Sequence, residues 1–381
     1  RSCILSRGLG DVYKRQDMSR TLMRGGAIAA VVAVILVLEG FYAGQLVQLR
    51  NTVLNRGGDL IVLQAGVSNM IAVRSVLPQF SRQEVEAVDG VASAYPLTTV
   101  ALIYEQAGVR TPISLFVYDA GGGPGSLFTG RPIEQDREII IDRSLAEKYQ
   151  LSPGDVFILS DFEFYIAGIS EGDAAYFTSF GFVLFDDLLD FYFESDLADD
   201  ISTFPLLSFL LVNLDVGADR ATVAQRIEAS VPSADVYLPA VLADKDEALG
   251  RVTLGPIFET MIGVAYIVGI LVTGIIMFAA INGRLQNLGV LKALGFSNGY
   301  LLRFVMLEAL LLASLAIPVG IVLAILLGVF IESMAPLYLV LPTETIPMIR
   351  TALACWGFAI AGSLLPVHRI YRLDPGMVFR N

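Results

Sequence analysis

Four long apolar stretches divide the chain, at residues 25–46, 260–283, 309–331 and 346–367. The second stretch holds 24 residues and the third holds 23, and neither contains a charged side chain. A helix needs ~20 apolar residues to cross a bilayer core of ~30 Å. The pattern therefore predicts four membrane-spanning α-helices, with about 200 residues of mixed polar and apolar sequence between the first and the second.

Charged residues near the ends of these stretches predict how the chain crosses the membrane, because lysine and arginine accumulate in cytoplasmic loops. All the basic clusters fall on one side if both ends of the chain are cytoplasmic: Arg20, Arg24, Arg284, Lys292, Arg303, Arg369, Arg372 and Arg380. Glu332 and Glu344 then lie in an outer loop, and Arg350 is expected to extend toward the outer membrane surface. This topology places residues 47–255 outside the cytoplasm.

The segment between the first two spans is acidic and lacks the residues of common catalytic sites. Residues 47–250 contain 30 acidic and 12 basic side chains, whereas the rest of the chain contains 8 and 14. A surface of this sign repels nucleic acid, which is not an expected partner. The chain's cysteines and its histidine (Cys3, Cys355 and His368) lie outside the segment, so we predict no catalytic, cofactor-binding or metal-binding residue in it.

Alternating strand and helix signals predict that this segment is an α+β domain of two subdomains. Strands are expected at residues 59–63, 113–118, 138–142, 156–159 and 162–169. Short helices are expected at residues 81–88, 143–150 and 218–231. The first of these helices carries Ser81 and Glu84 at the spacing of a capping box. The fold class is therefore a membrane protein with four transmembrane α-helices and a large α+β domain inserted between helices 1 and 2.

Two further patterns in the insert each have a purely structural interpretation and a functional one. The glycine-rich run 121–125 lacks a following Lys-Ser or Lys-Thr, and Pro124 removes one N–H group, so a mobile linker is favoured over a phosphate loop. The acidic doublets at 186–187 and 199–200 are interpreted as solvated loops and not as a catalytic pair. The sequence contains no Walker motif, and we expect no nucleotide hydrolysis by this chain alone.

Residues 1–17 have neither the apolar core of a signal peptide nor a helical face, and we interpret them as an artefactual or disordered leader. The remaining chain is predicted to comprise a cytoplasmic N-terminus with transmembrane helix 1 at 18–46, the outer domain at 47–255, transmembrane helix 2 at 256–283, a cytoplasmic loop at 284–303, transmembrane helix 3 at 304–331, an outer loop at 332–345, transmembrane helix 4 at 346–367 and a cytoplasmic tail at 368–381.

The loop between the second and third spans has the clearest short pattern. Residues 284–294 are predicted to form a helix, Gly295 to end it, and Ser297 or Asn298 to cap the next helix. Four leucines recur at every third position of the first helix: Leu285, Leu288, Leu291 and Leu294. Two interpretations stay open. The helix either anchors the loop at the membrane surface or receives force from a soluble partner.

The loop and the C-terminal tail resemble those of FtsX/MacB-type ABC transporter permeases, including the DevC-like members. The resemblance lies in Arg284 followed by LGVLKALG at 288–295, in the tail 366–375, and in EIIIDRSLAEKYQLSPGDVFIL at 138–159. It implies a homodimeric permease of the bacterial inner membrane that binds a separate ABC ATPase. ATP would bind to that ATPase, so no cofactor is expected in this chain. A membrane-fusion adaptor is a further implied partner, beside membrane lipid.

The resemblance also implies a mechanism, in which closure of the ATPase is passed through the membrane to the outer domain to export or extract an envelope-associated substrate. The coupling residues would be Arg284, Leu285, Asn287, Leu288, Gly289, Leu291, Lys292, Leu294 and Gly295. Asn287 departs from the family, which commonly has an acidic residue there. Two other hypotheses are an FtsX-like signalling permease that regulates a cell-wall hydrolase without transporting a substrate, and a receptor without an ATPase.

Glu39 and Glu308 are carboxylates within the predicted spans, where an ionisable group is costly. Both lie nearer a membrane surface than the midplane, so interhelical hydrogen bonding or extension to the surface is favoured over proton coupling. Small residues in the second and third spans offer close helix contacts, which fit either packing within the chain or dimerisation. These are Gly263, Gly269, Gly274, Gly320 and Gly328.

Overall fold

The computed structural model describes residues 2–194 and 207–364. The chain divides into two compact units. One, here called the helix unit, comprises Arg1–Ala43, Pro256–Ile331 and Val340–Asn381. The other, the sheet unit, comprises Gly44–Gly255 and Glu332–Leu339.

Four helices are long and apolar enough to cross a membrane, as the apolar stretches predicted. They are α1 (Ser2–Leu54), α6 (Pro239–Asn282), α8 (Asn298–Met334) and α9 (Thr345–Leu364). The prediction of four membrane helices with a large α+β domain after the first is therefore confirmed. Residues 365–367 of the predicted fourth span, and the predicted tail 368–381, lie outside the described residues.

The first and second membrane helices are longer than their apolar stretches. α1 begins at Ser2, inside the segment 1–17 that is interpreted as an artefactual or disordered leader, and that interpretation stays a prediction. α6 begins at Pro239, well before its apolar stretch, and its first part belongs to the sheet unit. There Arg50 of α1 forms ion pairs with Asp244 and Glu247 of α6. Charged side chains paired between two helices explain why hydropathy alone misses these extensions.

Close contacts between membrane helices depend on glycine. A Cβ atom at Gly320 would lie 2.7 Å from Val32 and 2.8 Å from the carbonyl oxygen of Ala29. At Gly362 it would lie 2.8 Å from the Cα atom of Gly274. The predicted small-residue contacts thus bring α1 to α8 and α6 to α9 within one chain. At Gly263, in contrast, an added Cβ would meet nothing within 4 Å.

Ten strands of the described residues form one sheet, in the order β10-β1-β9-β2-β3-β8-β5-β7-β4, with β6 also paired to β7. The β3–β8 and β5–β7 pairs are parallel, and the other pairs are antiparallel. The strands are β1 (Leu60–Gln64), β2 (Val91–Gln106), β3 (Val109–Tyr118), β4 (Leu127–Gly130), β5 (Glu138–Asp142), β6 (Val156–Leu159), β7 (Phe162–Ser170), β8 (Ser179–Leu184), β9 (Phe209–Leu214) and β10 (Ala234–Tyr237).

Two hydrophobic clusters stabilise different parts of this sheet. One contains Leu60 of β1, Leu210 of β9 and residues of α2 (Ser81–Glu86) and α5 (Arg220–Ser230), such as Val85 and Ile227. The other contains aromatic and aliphatic residues of β5 to β8, together with α3 (Arg143–Tyr149) and α4 (Asp187–Glu194). The sheet is continuous across both clusters, and the division of the domain into two subdomains stays a prediction.

Several local predictions hold and two are wrong. All five predicted strands are present, and Gln150 ends α3 in the left-handed conformation. The capping box at Ser81 does not form, since α2 begins at Ser81 itself with Phe80 as its N-cap residue and no side-chain hydrogen bond there. Asp187 is not in a solvated loop. It begins α4, is 2% exposed and accepts a hydrogen bond of 2.9 Å from the Arg137 N–H. The second doublet, 199–200, lies outside the described residues.

Candidate functional site

The loop between α6 and α8 folds as a short helix followed by a hydrogen-bonded turn. Helix α7 (Leu285–Ala293) ends in a Schellman motif, in which Phe296 N–H donates to the Leu291 carbonyl at 3.2 Å and Gly295 N–H to the Lys292 carbonyl at 3.0 Å. Gly295 has a φ of +95°, which glycine adopts without strain. The Ser297 hydroxyl then accepts a hydrogen bond from Tyr300 N–H at 3.3 Å and caps α8. Both predicted caps are present, so the turn between the helices is short and defined.

The inner face of α7 packs on the starting turns of α8. Leu288 is 5% exposed and forms a cluster with Ile281, Leu301 and Val305, against which Leu291 is partly buried. Burial of these side chains holds α7 against the end of α6 and the start of α8. The leucine pattern therefore located the buried face of the helix, although only part of the four-leucine stripe lies on it.

The outer face of α7 carries exposed apolar side chains. Leu294, the last leucine of the predicted stripe, is 72% exposed, and Val290 is 43% exposed. Asn287 is also exposed. Beyond the turn, Phe296 and Tyr300 pack together with their ring centroids 4.9 Å apart. The structure thus separates the predicted coupling residues into an inner set that packs on α8 and an outer set that is exposed. Val290 belongs to the outer set and is an addition to the predicted residues.

An ion pair fixes the start of α7 to α8. Arg284 is the N-cap residue of α7, and its guanidinium donates a hydrogen bond to the Glu308 carboxylate. Both side chains are partly exposed. Glu308 therefore has a partner from another helix, as one of the two favoured interpretations required. Together with the Leu288 cluster, this pair gives α7 two separate attachments to α8.

Glu39 joins three membrane helices. Its carboxylate is 1% exposed and accepts hydrogen bonds from Arg350 Nε at 3.1 Å, from another guanidinium nitrogen of Arg350, and from the Tyr266 hydroxyl at 3.0 Å. Thr351 lies 3.3 Å from the same hydroxyl. Contrary to the prediction, Arg350 does not simply extend to the membrane surface. It forms an ion pair between α9 and α1, because the buried carboxylate needs a cation in a medium of low dielectric constant.

Comparison with known proteins places both halves of the chain. Residues 26–230 match the family described as MacB-like periplasmic core domain, and residues 259–375 match FtsX-like permease C-terminal. The chain belongs to the FtsX/MacB-type ABC transporter permeases. This confirms the family to which the loop and tail pointed. The permease is a membrane protein, and an ATPase partner follows from its membership.

Curated relatives match nearly the whole chain over nearly their whole length. A Mycobacterium bovis protein described as an uncharacterized ABC transporter permease is 23% identical over 356 residues, which are 92% of each chain. A Mycobacterium tuberculosis protein with the same description is 22% identical over 371 residues, or 96% of each chain. Among solved structures, the extracellular domain of YknZ from Gram-positive bacteria matches 48% of this chain and all of its own, with 14% identity and a TM-score of 0.35. The periplasmic region of MacB from Actinobacillus actinomycetemcomitans matches 51% of this chain and 95% of its own, with 10% identity and a TM-score of 0.35.

In the sheet unit, a buried arginine follows the end of α1. Arg56 has no exposed side-chain surface and forms an ion pair with Asp173, which is equally buried. Its guanidinium lies over the rings of Phe116 and Phe182, 5.2 and 4.8 Å from their centroids. It also donates to the carbonyl of Gly123 at 2.7 Å. The permease thereby anchors the chain after α1 to β3 and β8.

The same pair corrects the interpretation of the glycine-rich run. Arg56 donates to the carbonyls of Gly122 and Gly123, and Asp173 accepts from Gly125 N–H at 3.2 Å. Both members of the ion pair therefore hydrogen-bond to the backbone of the run, which is not a mobile linker. No sequence motif marks Arg56 or Asp173, since they lie 117 positions apart. The only local signal is a lone arginine directly after an apolar helix.

Proposed function

We propose that this chain is the transmembrane subunit of an ATP-driven transporter and that α7 is the element that contacts the separate ATPase. The proposal rests on the difference between the two faces of α7, one packed against α8 and the other exposed. Its inner face is attached to α8 through Leu288 and through the Arg284–Glu308 pair. Its outer face presents Val290 and Leu294 to solvent or to a partner. A helix held on one side and apolar on the other can transmit the displacement of a bound protein to the spans.

Long continuous helices support transmission beyond the loop. α6 is unbroken from Pro239 to Asn282 and α8 from Asn298 to Met334. In the sheet unit, α1 is tied to α6 by the pairs of Arg50 and by Leu49, which lies against Gly250. We infer that ATPase closure at α7 is passed along these helices to the α+β domain. The chain itself binds no ATP in this proposal, and the partner supplies nucleotide binding and hydrolysis.

The cargo in this proposal is an envelope-associated substrate that is exported or extracted from the membrane, with a membrane-fusion adaptor as a further partner. The permease would form a homodimer in the bacterial inner membrane with both termini in the cytoplasm. The positive-inside distribution of Arg24, Arg284 and Arg303 supports this orientation. Regulation of a cell-wall hydrolase without transport is the competing function. Identification of an adaptor or a hydrolase among co-purified proteins distinguishes the two.

Substitution on the outer face of α7 tests the coupling role. Val290→Asp and Leu294→Asp each place a charge on the exposed apolar surface, and loss of apolar contact together with burial of a charge is expected to lower ATPase recovery about tenfold or more. Co-purification from membranes, quantified by mass spectrometry, measures this. Val216→Asp is the matched control, because Val216 is fully exposed in the sheet unit.

The choice of residue follows from the fold. Leu291→Asp, which the sequence pattern suggests first, also places a charge against the Leu288 cluster and is expected to lower thermal stability. The outer-face variants are expected to keep the wild-type melting temperature. Normal ATPase recovery with both Val290→Asp and Leu294→Asp would remove α7 as the contact.

A further inference from the structure

A cavity of about 530 Å³ lies in the helix unit between α1, α6, α7 and α8. Its wall is mostly apolar and includes Met277, Ile281, Leu288, Phe304, Leu312 and Leu315. Sites for small organic ligands commonly enclose ~300–1,000 Å³. The cavity is therefore large enough for a substantial part of a ligand, and most of the wall around that part is apolar.

Charged groups lie at one part of this wall. Arg24 of α1, Arg284 at the start of α7 and Glu308 of α8 all line the cavity. Arg284 is paired with Glu308. Among the residues whose side chains the structure describes, no ion pair includes Arg24. Two guanidinium groups and one carboxylate leave one positive charge in excess, and a positive charge beside an apolar wall attracts an anion strongly.

We propose that this cavity binds one anionic glycerophospholipid, with its phosphate between Arg24 and Arg284 and an acyl chain along the apolar wall. Basic pockets between membrane helices are a known kind of site for anionic head groups. The cavity combines an excess cation with hydrocarbon surface at the ends of membrane helices, which is the distribution of charge and apolar surface in such a lipid.

A second copy of the chain fits the same cavity less well. The apolar stretches 260–283 and 309–331 contain no acidic residue. Glu308, which precedes the second of them, is already paired with Arg284, so another copy offers Arg24 no carboxylate from these stretches and none at 308 without breaking that pair. A lipid phosphate supplies that charge together with the hydrocarbon. The choice requires only insertion in a membrane and does not depend on the ATPase contact.

The site has a structural consequence for α7. Leu288 and Leu291, which lie on the inner face of α7, also line the cavity. An acyl chain in the cavity gives the inner face of α7 apolar contacts in addition to those with Leu301 and Val305. Bound lipid is therefore expected to stabilise the attachment of α7 to the membrane helices.

Native mass spectrometry of the full-length permease tests the proposal, using phosphatidylglycerol and phosphatidylcholine with identical acyl chains. Wild-type protein is expected to retain phosphatidylglycerol about fivefold more than phosphatidylcholine, and Arg24→Gln is expected to lose that preference. Ala280→Trp fills the cavity from α6 and is expected to reduce retention of both lipids. The matched control is Arg303→Gln, which removes an exposed arginine of α8 that does not line the cavity.

Each other outcome overturns the assignment. Equal retention of phosphatidylglycerol by wild type and Arg24→Gln would show that Arg24 does not hold the head group. Equal retention of the two lipids by wild type would show general membrane contact only. Displacement of phosphatidylglycerol by inorganic phosphate would identify a free anion as the ligand. A loss of dimers in Ala280→Trp with unchanged lipid retention would assign the cavity to a second copy.

Discussion

At the scale of single residues, the sheet unit buries charges that are stabilised to very different degrees. Arg56 and Asp173 form an ion pair, and both are also hydrogen-bonded to backbone groups of the glycine-rich run. Asp246 of α6 is 1% exposed, and its Oδ2 accepts a hydrogen bond of 3.1 Å from Met70 N–H. Its Oδ1 has no hydrogen-bond partner among the described residues. A carboxylate in this position is poorly compensated when ionised.

This makes stability depend on pH through Asp246. Burial raises the pKa of Asp246 to about 7, whereas the unfolded chain keeps a pKa near ~3.9. Between these values the folded state binds the proton more tightly, so the free energy of unfolding falls as pH rises from ~4 to ~7. Asp246→Asn removes this loss and is expected to be about 2–4 kcal/mol more stable than wild type at pH 8.

Denaturant unfolding of the purified permease at pH 5 and pH 8 measures the effect. The stability difference between variant and wild type should be about two- to threefold larger at pH 8 than at pH 5, as follows from these pKa values. Burial also raises the pKa of Asp142, to about 6, and that group titrates in both proteins, so comparison with wild type isolates Asp246. A stability difference that is the same at both pH values would contradict the role given to Asp246.

The sequence alone could not predict which residues contact the buried carboxylate of Glu39. Glu39 was recognised as an unusual membrane carboxylate, but its partner Arg350 lies 311 positions away and was expected at the surface. The sequence gives no signal for Tyr266 or Thr351, since a tyrosine inside an apolar stretch and a threonine in the first turns of α9 are both common. Pairing of distant side chains is decided by the packing of α1, α6 and α9, which no local pattern records.

At the scale of elements, the predictions succeeded where the partners are close in sequence. The end of α7 was placed correctly because Gly295 and the carbonyls it caps are only a few residues apart. The capping box of α2 failed for a similar local reason, since residue Phe80 takes the N-cap position and Ser81 is already helical. A serine and a glutamate at the right spacing permit a capping box without requiring one.

Helix contacts lead to a prediction about glycine. Gly320→Ala places a methyl group 2.7 Å from Val32 and 2.8 Å from the Ala29 backbone oxygen, which cannot move without shifting α1. The expected destabilisation is about 1–3 kcal/mol, as for other overpacked sites. Thermal unfolding in detergent should show a lower melting temperature.

Gly263→Ala provides the control for this effect. Both substitutions remove a glycine from a membrane helix and share the gain in helix propensity, but the new methyl group at 263 meets nothing within 4 Å. Its melting temperature should equal or exceed that of wild type. Equal loss in the two variants would indicate that glycine acts through helix flexibility and not through contact with α1.

At the scale of the whole molecule, the sequence predicted the number of membrane helices and the class of the inserted domain. The length of an apolar stretch can be read directly from the sequence, and 24 residues without a charge allow few alternatives to a membrane-spanning helix. The order of strands was not predictable, because β3 pairs in parallel with β8 across several intervening elements. Such pairing is set by how the two cores pack, which is a property of the complete sheet.

The orientation of the permease rests on charge alone and can be tested by chemical labelling. Val216 in the sheet unit and Leu294 in the helix unit are both strongly exposed, so a cysteine at either position is open to reagent. In a background with Cys3 and Cys355 replaced, Val216→Cys is expected to react with a membrane-impermeant maleimide on intact spheroplasts. Leu294→Cys should react only after the membrane is permeabilised. The reverse pattern would place the α+β domain in the cytoplasm, and α7 could then no longer meet a cytoplasmic ATPase.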